Sequence, residues 1–256
     1  MFIDFLFKLL SKVSFKFYYR LKAKSQNDNK EAIELLKISK KAKINKSFIE
    51  FGFHPYELNS HIFLRKNFQG LLIDANDKTC ENMDLIIKKL KVDSKTNKHF
   101  ISLEKLAPIS NFINELNDDL GLLSIDIDGN DYWILKKILT FTKPHLICIE
   151  HNASFGTKNI STPYIEMFDR HKLHKSGLYH GGSITAFYSL LQENYDLIMN
   201  VEGLNLIFLR KDKNPGLSPL NPIEAYKECT LRNLWSNTTA KEQWKIIQNL
   251  EYENLN

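Results

Sequence analysis

The chain has 256 residues, 43% of them hydrophobic and 25% charged, with a net charge of +5. That length and balance fit one large packed α/β domain with an appendage and exclude a disordered chain. Lysine is plentiful but scattered, so no basic run points to nucleic acid. The three cysteines (Cys80, Cys148, Cys229) are too widely spaced for a disulfide framework or a CxxC metal motif.

Residues 1–24 carry a basic amphipathic pattern. Phe2, Leu6, Leu9, Leu10, Val13 and Phe17 fall on one helical face, and Lys8, Lys12, Lys16 and Arg20 on another. The apolar run is too short to span a bilayer, and no small-residue cleavage site follows it. The helix is expected to pack on its own domain or on a second subunit, as in a homo-oligomer. A peripheral contact with an anionic membrane surface is the alternative. A cytoplasmic location is expected. After the polar break SQNDNK, a second helix is predicted over residues 31–43, completing an N-terminal helical segment, 1–44.

Regular strand–helix alternation then runs over residues 45–212. SFIEFG reads as strand one, and HPYELNSHIFLRKN as a loop entering a helix. GLLIDAN reads as strand two, followed by a helix over 80–90, and HFISL as strand three. A helix at 109–117 takes Pro108 in its first turn. GLLSIDID is strand four, leading into a helix at 131–139, and HLICIEHN is strand five. Helices near 163–171 and 183–193 precede a closing hairpin, YDLIMNVEG and LNLIFLRKD. Such alternation implies a seven-stranded, mostly parallel sheet of Rossmann-like α/β class with an antiparallel closing edge. Residues 213–256, with Trp235 and Trp244 in two predicted helices, form a C-terminal helical appendage or an oligomer contact.

The stretch that organises the chain is residues 122–133, LLSIDIDGNDYW. It reads as a buried strand ending in Asp126 and Asp128, a turn at Gly129, and a helix begun by Asp131, whose carboxylate suits a helix N-terminus. In parallel sheets, ligands gather outside the carboxyl ends of the strands. Strand one ends in Glu50-Phe51-Gly52, where a glycine lets a ligand approach the backbone. The following helix, read as starting near residues 57–60, offers free N–H groups to an anion. The dinucleotide fingerprint GxGxxG is absent. Asp74 ends strand two, where an acid typically accepts from ribose hydroxyls, with Asn76 beside it.

Strand five supplies Glu150, His151 and Asn152. With Asp126 and Asp128 on the neighbouring strand they form an acidic rim, and Asp126, Asp128, Glu150 and Asn152 are candidate oxygen ligands for Mg²⁺ or Mn²⁺. His151 is the general-base candidate by position, with Asp128 the other proton acceptor considered. His180, in YHGGS, is expected at a pocket mouth, with Ser183 capping the next helix.

IEFGFHPYELNS, GLLIDAN, LSIDIDGNDYW, ICIEHN and the later YHGGS…NLIFLR resemble, in order and spacing, the FkbM-type S-adenosylmethionine-dependent methyltransferases, and more narrowly the bacterial branch with the IDIDGNDYW motif. The resemblance covers roughly residues 45–212. It implies a Rossmann-like methyltransferase fold and methyl transfer to a hydroxyl, often on a sugar. From it, a sugar or sugar-nucleotide acceptor for a bacterial surface (capsule) polysaccharide is expected. It also implies that Gly52, Glu57, Asn59 and the adjoining Ser60 hold the methionine end of the cofactor, Asp74 the ribose, Ser102 the neighbourhood of the adenine, and Asp126 the sulfonium end. Of the family's glycine-rich loop, only Gly52 remains. Two other readings share the same residues: a metal-dependent glycosyltransferase gripping a nucleotide sugar through Asp126-x-Asp128, and a non-catalytic membrane-surface protein.

Overall fold

The computed structural model describes residues 12–26 and 30–255. Its centre is a seven-stranded sheet in the order β3-β2-β1-β4-β5-β8-β7. The strands are β1 (Ser47–Phe51), β2 (Gln69–Asp74), β3 (Ser94–Lys98), β4 (Leu122–Ile125), β5 (Leu146–Glu150), β7 (Tyr195–Val201) and β8 (Asn205–Arg210). β1 to β5 pair in parallel, and β8 inserts antiparallel between β5 and β7. The expected sheet and its antiparallel closing edge are thus present as a Rossmann-like α/β arrangement. A short second sheet joins β6 (Ile160–Ser161) to β9 (Glu253–Asn254) and ties the C-terminal segment to the domain.

Strand periodicity divides the core. Ile49, Phe51, Leu71, Ile73, Leu123, Ile125, Ile147 and Ile149 face one side of the sheet. There they meet α5 (Ala107–Glu115), α6 (Asp131–Ile138) and α8 (Ile184–Leu191). Phe48, Leu72, Leu122, Leu146 and Cys148 face the other. That side is covered by α1 (Phe15–Gln26), α2 (Lys30–Ala42), α3 (His61–Arg65) and α4 (Asp77–Leu90). Both faces being covered explains why the central strands read as continuous apolar runs. Local caps fix the helix starts: Asn76 accepts from the Thr79 N–H, and Ser183 from the Ala186 N–H. The remaining helices are α7 (Arg170–Leu173), α9 (Pro222–Ala225), α10 (Thr230–Ser236) and α11 (Ala240–Ile247).

Four expectations are corrected. The third strand is SKTNK, not HFISL. As the sheet's edge it is only half covered, so it needs no apolar alternation, and the apolar residues that follow it are loop. β4 ends at Ile125, so Asp126 and Asp128 lie in the turn beyond it. The helix expected at 163–171 shrinks to the four residues of α7. In the N-terminal segment, residues 1–11 lie outside the described residues. In the part that is described, Val13 and Phe17 are exposed, whereas Tyr19 and Ala23, one helical turn apart, are buried. Tyr19 wins the interior because its ring packs in the second core and its hydroxyl donates to the Pro55 carbonyl at 3.0 Å. No helix among the described residues is long and apolar enough to cross a membrane.

Gly52 marks where β1 must end. Its φ is +66°, and a Cβ there would sit 1.6 Å from the Asp126 carbonyl oxygen. The glycine is required first by the close approach of two strand ends. Gly52→Ala should therefore cost about 3 kcal/mol or more, from left-handed strain and overpacking together. Urea unfolding of the variant checks this, and a loss below about 1 kcal/mol would contradict the close approach.

Candidate functional site

A cavity of about 1160 Å³ opens over the carboxyl ends of β1, β2, β4 and β5. The strand order reverses between β1 and β4, so the cavity lies at the topological switch point, where open α/β sheets bind ligands.

Its floor is set by Glu50. In register, Glu50 pairs with Ser124 and Ser124 with Cys148 across three neighbouring strands. Glu50 is buried, and its carboxylate accepts from the backbone N–H of Asn59 at 2.9 Å and of Ser60 at 2.8 Å. Burial raises its pKa to about 7, opposed by the hydrogen bonds from Ser60 and Asn59. This corrects the expectation that these N–H groups await a ligand: they hold Glu50. The helix itself starts later, at His61, and Ser60 is buried outside the cavity lining. The Asn59 side chain donates to Ser124 Oγ at 3.2 Å, and Gly52, Glu57 and Asn59 line the cavity.

Asp74 and Asn76 line the cavity beyond β2, with His99, Phe100 and Ile101 opposite. Asp74 accepts from the Asn76 N–H at 2.7 Å, and burial raises its pKa. The side chain of Asn76 is committed to capping α4. Ser102 is buried and donates to Glu104 at 3.2 Å, outside the lining. The wall expected of it is made by the three residues before it, because the loop starts after Lys98.

The turn after β4 is held from within. Asp131 accepts from the N–H of Ile127 and of Gly129, each at 2.9 Å. Burial lifts its pKa to about 6 against those two bonds. The Asn130 side chain donates to the Ile165 carbonyl at 2.7 Å, and Trp133 Nε1 to the Thr162 carbonyl at 2.9 Å. A Cβ on Gly129 would strike the Phe168 ring at 2.3 Å. Asp131 therefore holds the turn from within, and Gly129, Asn130 and Trp133 fasten it to the 162–168 loop, leaving Asp126 and Asp128 to face the cavity. Asp128 adopts a φ of 56° and pairs with Arg170. Asp126 has no hydrogen bond or ion pair among the described residues. Its pKa is raised well above the carboxylate range, first by burial and then by the charges of Glu150, Asp128, Asp131 and Glu50.

At the end of β5, Glu150 lines the cavity and binds Arg232 of α10 at 2.9 Å. Burial raises its pKa to about 7, with Arg232 opposing. Its neighbours correct the expectation for strand five. His151 is buried outside the lining, its Nδ1 3.0 Å from the Leu204 carbonyl, and burial lowers its pKa to about 4. Asn152 is not a rim ligand: its amide donates to the carbonyls of Leu178 and His180, and its oxygen accepts from Ser154. His180 is buried behind Glu150, with Nδ1 3.8 Å from Oε2, not at a pocket mouth. Burial holds its pKa well below normal.

The sequence reading missed Glu50, Arg170, Arg232 and the outer wall of Phe168, Leu231 and Trp235. Glu50 carried a signal, being an acid inside the apolar run SFIEF. Arg170 and Arg232 carried none, since each meets its acid only through the tertiary fold. Their charges bear on the metal expectation. Asp128, Glu150 and His180 place ligand atoms within 4.8 Å of one another. Two of the three are already paired with guanidinium groups, so a divalent cation would have to displace Arg170 and Arg232. The donor set does not fit a metal that is merely added.

No protein-family model matches the chain, and no curated protein matches it. Solved structures do. A Bacillus cereus O-methyltransferase in complex with SAH is 12% identical, covering 80% of this chain and 97% of its own, at a TM-score of 0.43. The N-terminal domain of EvdMO1 with SAH bound is 6% identical, covering 70% of this chain and 80% of its own, at 0.43. TrmK of M. capricolum with SAH is 13% identical, covering 68% of each chain, at 0.34.

Breaking the Glu150–Arg232 pair from one side should cost about 3–5 kcal/mol, because it strands a buried charge. Arg232→Met should show that loss in urea unfolding, and adding Glu150→Gln to it should recover most of the loss. A double variant no more stable than Arg232→Met would mean the pair does not carry the contact.

Proposed function

We propose that the chain is an S-adenosylmethionine-dependent O-methyltransferase whose acceptor is a sugar or sugar-nucleotide hydroxyl. The observation that carries the cofactor assignment is Asp126, an acid with no ion-pair partner among the described residues, facing the switch-point cavity with Gly52 and Asp128. A cationic ligand supplies what the fold withholds there. Asp74 at the end of β2 supports the same reading, since a carboxylate in that place suits ribose hydroxyls. The acceptor class rests on the sequence resemblance, and a cavity of about 1160 Å³ leaves room for a second molecule.

When bound, S-adenosylmethionine supplies an electrophilic methyl group on a sulfonium. In this reading Gly52, Glu57 and Asn59 hold its amino-acid end, Asp74 its ribose, and His99, Phe100 and Ile101 flank its base. Asp126 answers the positive charge. Methyl transfer to a hydroxyl needs positioning and removal of one proton. Glu150 takes that proton: it lines the cavity, and its pKa of about 7 suits a base near neutral pH. Arg232 favours its ionised form and orients it; the sequence reading gave the proton-accepting role to His151 or Asp128.

Asp74→Ala should weaken S-adenosylhomocysteine binding by ~1.5–3 kcal/mol in calorimetry, through loss of a charged hydrogen-bond acceptor. Glu150→Gln should keep that binding but lose ~10²–10⁴-fold in turnover. Asp126 sets the pH behaviour. Its raised pKa favours the protonated form in the free protein, and a cation lowers that pKa, so binding of S-adenosylmethionine should release a proton. Affinity for it should therefore rise with pH until Asp126 ionises in the free chain, and the rise should vanish in Asp126→Asn. Calorimetry in buffers of different ionisation enthalpy measures the proton. No release would remove Asp126 from the sulfonium.

A further inference from the structure

A second hollow, of about 730 Å³, lies at the opposite end of the sheet. Lys46 immediately precedes β1, and Lys66, Asn67 and Phe68 immediately precede β2, so the hollow sits at the amino ends of the strands. Six basic residues line it: Lys16, Lys40, Lys43, Lys46, Arg65 and Lys66. No acid lines it, and none of the six has an ion-pair partner among the described residues. Its apolar floor is Leu36, Ile44, Ile62 and Phe68.

Like charges gathered without a counter-ion repel one another, and the cost falls when an anion joins them. Arg65 shows the strain most clearly. Its Nε is buried with no hydrogen-bond partner, and Arg20 adds a further positive charge beside it. The remaining cations end in exposed, flexible side chains that can close on an oxyanion.

The neighbouring stretch decides between possible anions. Val13 and Phe17, next to Lys16, are 80% and 47% exposed. A soluble phosphate or a nucleic-acid backbone leaves both in water, whereas a bilayer surface takes apolar side chains and phosphate headgroups together. We propose that this end of the molecule is a docking surface for an anionic lipid bilayer, with headgroup phosphates seated in the basic hollow and Val13 and Phe17 entering the interface. Docked so, the large cavity opens away from the membrane.

The test is sedimentation of the full chain with phosphatidylcholine vesicles with and without phosphatidylglycerol. Binding should need phosphatidylglycerol and weaken with salt. The triple variant K40Q/K46Q/K66Q removes three exposed charges, each worth about fivefold, so vesicle affinity should fall about a hundredfold with the melting temperature unchanged. Phe17→Ser should weaken vesicle binding without any change of charge. Equal binding to neutral vesicles, or a triple variant that binds like the parent, would overturn the proposal. So would an unchanged Phe17→Ser, or a parent chain that binds pyrophosphate or RNA while leaving anionic vesicles untouched.

Discussion

Desolvated carboxylates at the carboxyl edge of β1, β4 and β5 are the constraint on which the rest of this structure depends. Five acids, Glu50, Asp126, Asp131, Glu150 and the more exposed Asp128, share one end of the sheet, and they are answered in three ways. Glu50 and Asp131 are held by backbone N–H groups, Asp128 and Glu150 by guanidinium groups. Because buried charge is tolerable only when paired or hydrogen-bonded, these contacts dictate the surrounding architecture. The loop before α3 must curl back to present two N–H groups to Glu50, and α10 must bring Arg232 to Glu150, while Arg170 of α7 pairs with the exposed Asp128. Asp126 has no such partner among the described residues.

The IDIDGNDYW stretch shows how a functional-looking motif divides its labour. Asp131, Asn130, Gly129 and Trp133 build and brace the turn, each through a contact that another residue type would lose. Only the two preceding aspartates present carboxylates to the cavity. A string that reads as a catalytic signature is thus mostly the scaffold that aims Asp126. Preorganisation of this kind keeps a site within the narrow tolerance that chemistry needs.

The sheet was legible because its central strands are buried on both faces and announce themselves as apolar runs ended by Gly52, Asp74, Asp126 and Glu150. β3 was misread because an edge strand needs no such pattern. Of the site, Gly52, Glu57, Asn59, Asp74, Asn76, Asp126, Asp128 and Glu150 do meet in one cavity. What could not be read was which polar residues the fold consumes. His151, Asn152 and His180 look exposed-polar in sequence, yet they are buried where the chain doubles back between β5 and residues 178–204. Val13 and Phe17 were misplaced for a related reason: the segment around α1 carries apolar residues on two faces, and Tyr19 on the rival face finds a buried acceptor.

The Glu150–Arg232 contact spans 82 residues of chain. A ribosome therefore delivers the acid well before its partner. Domains generally fold as units, and until α10 packs, a formed β5 leaves its terminal carboxylate unanswered. During that interval Glu150 can be neutral or wet, but it cannot be both ionised and enclosed. The C-terminal segment therefore supplies the countercharge that closing this side of the cavity requires, as well as its wall.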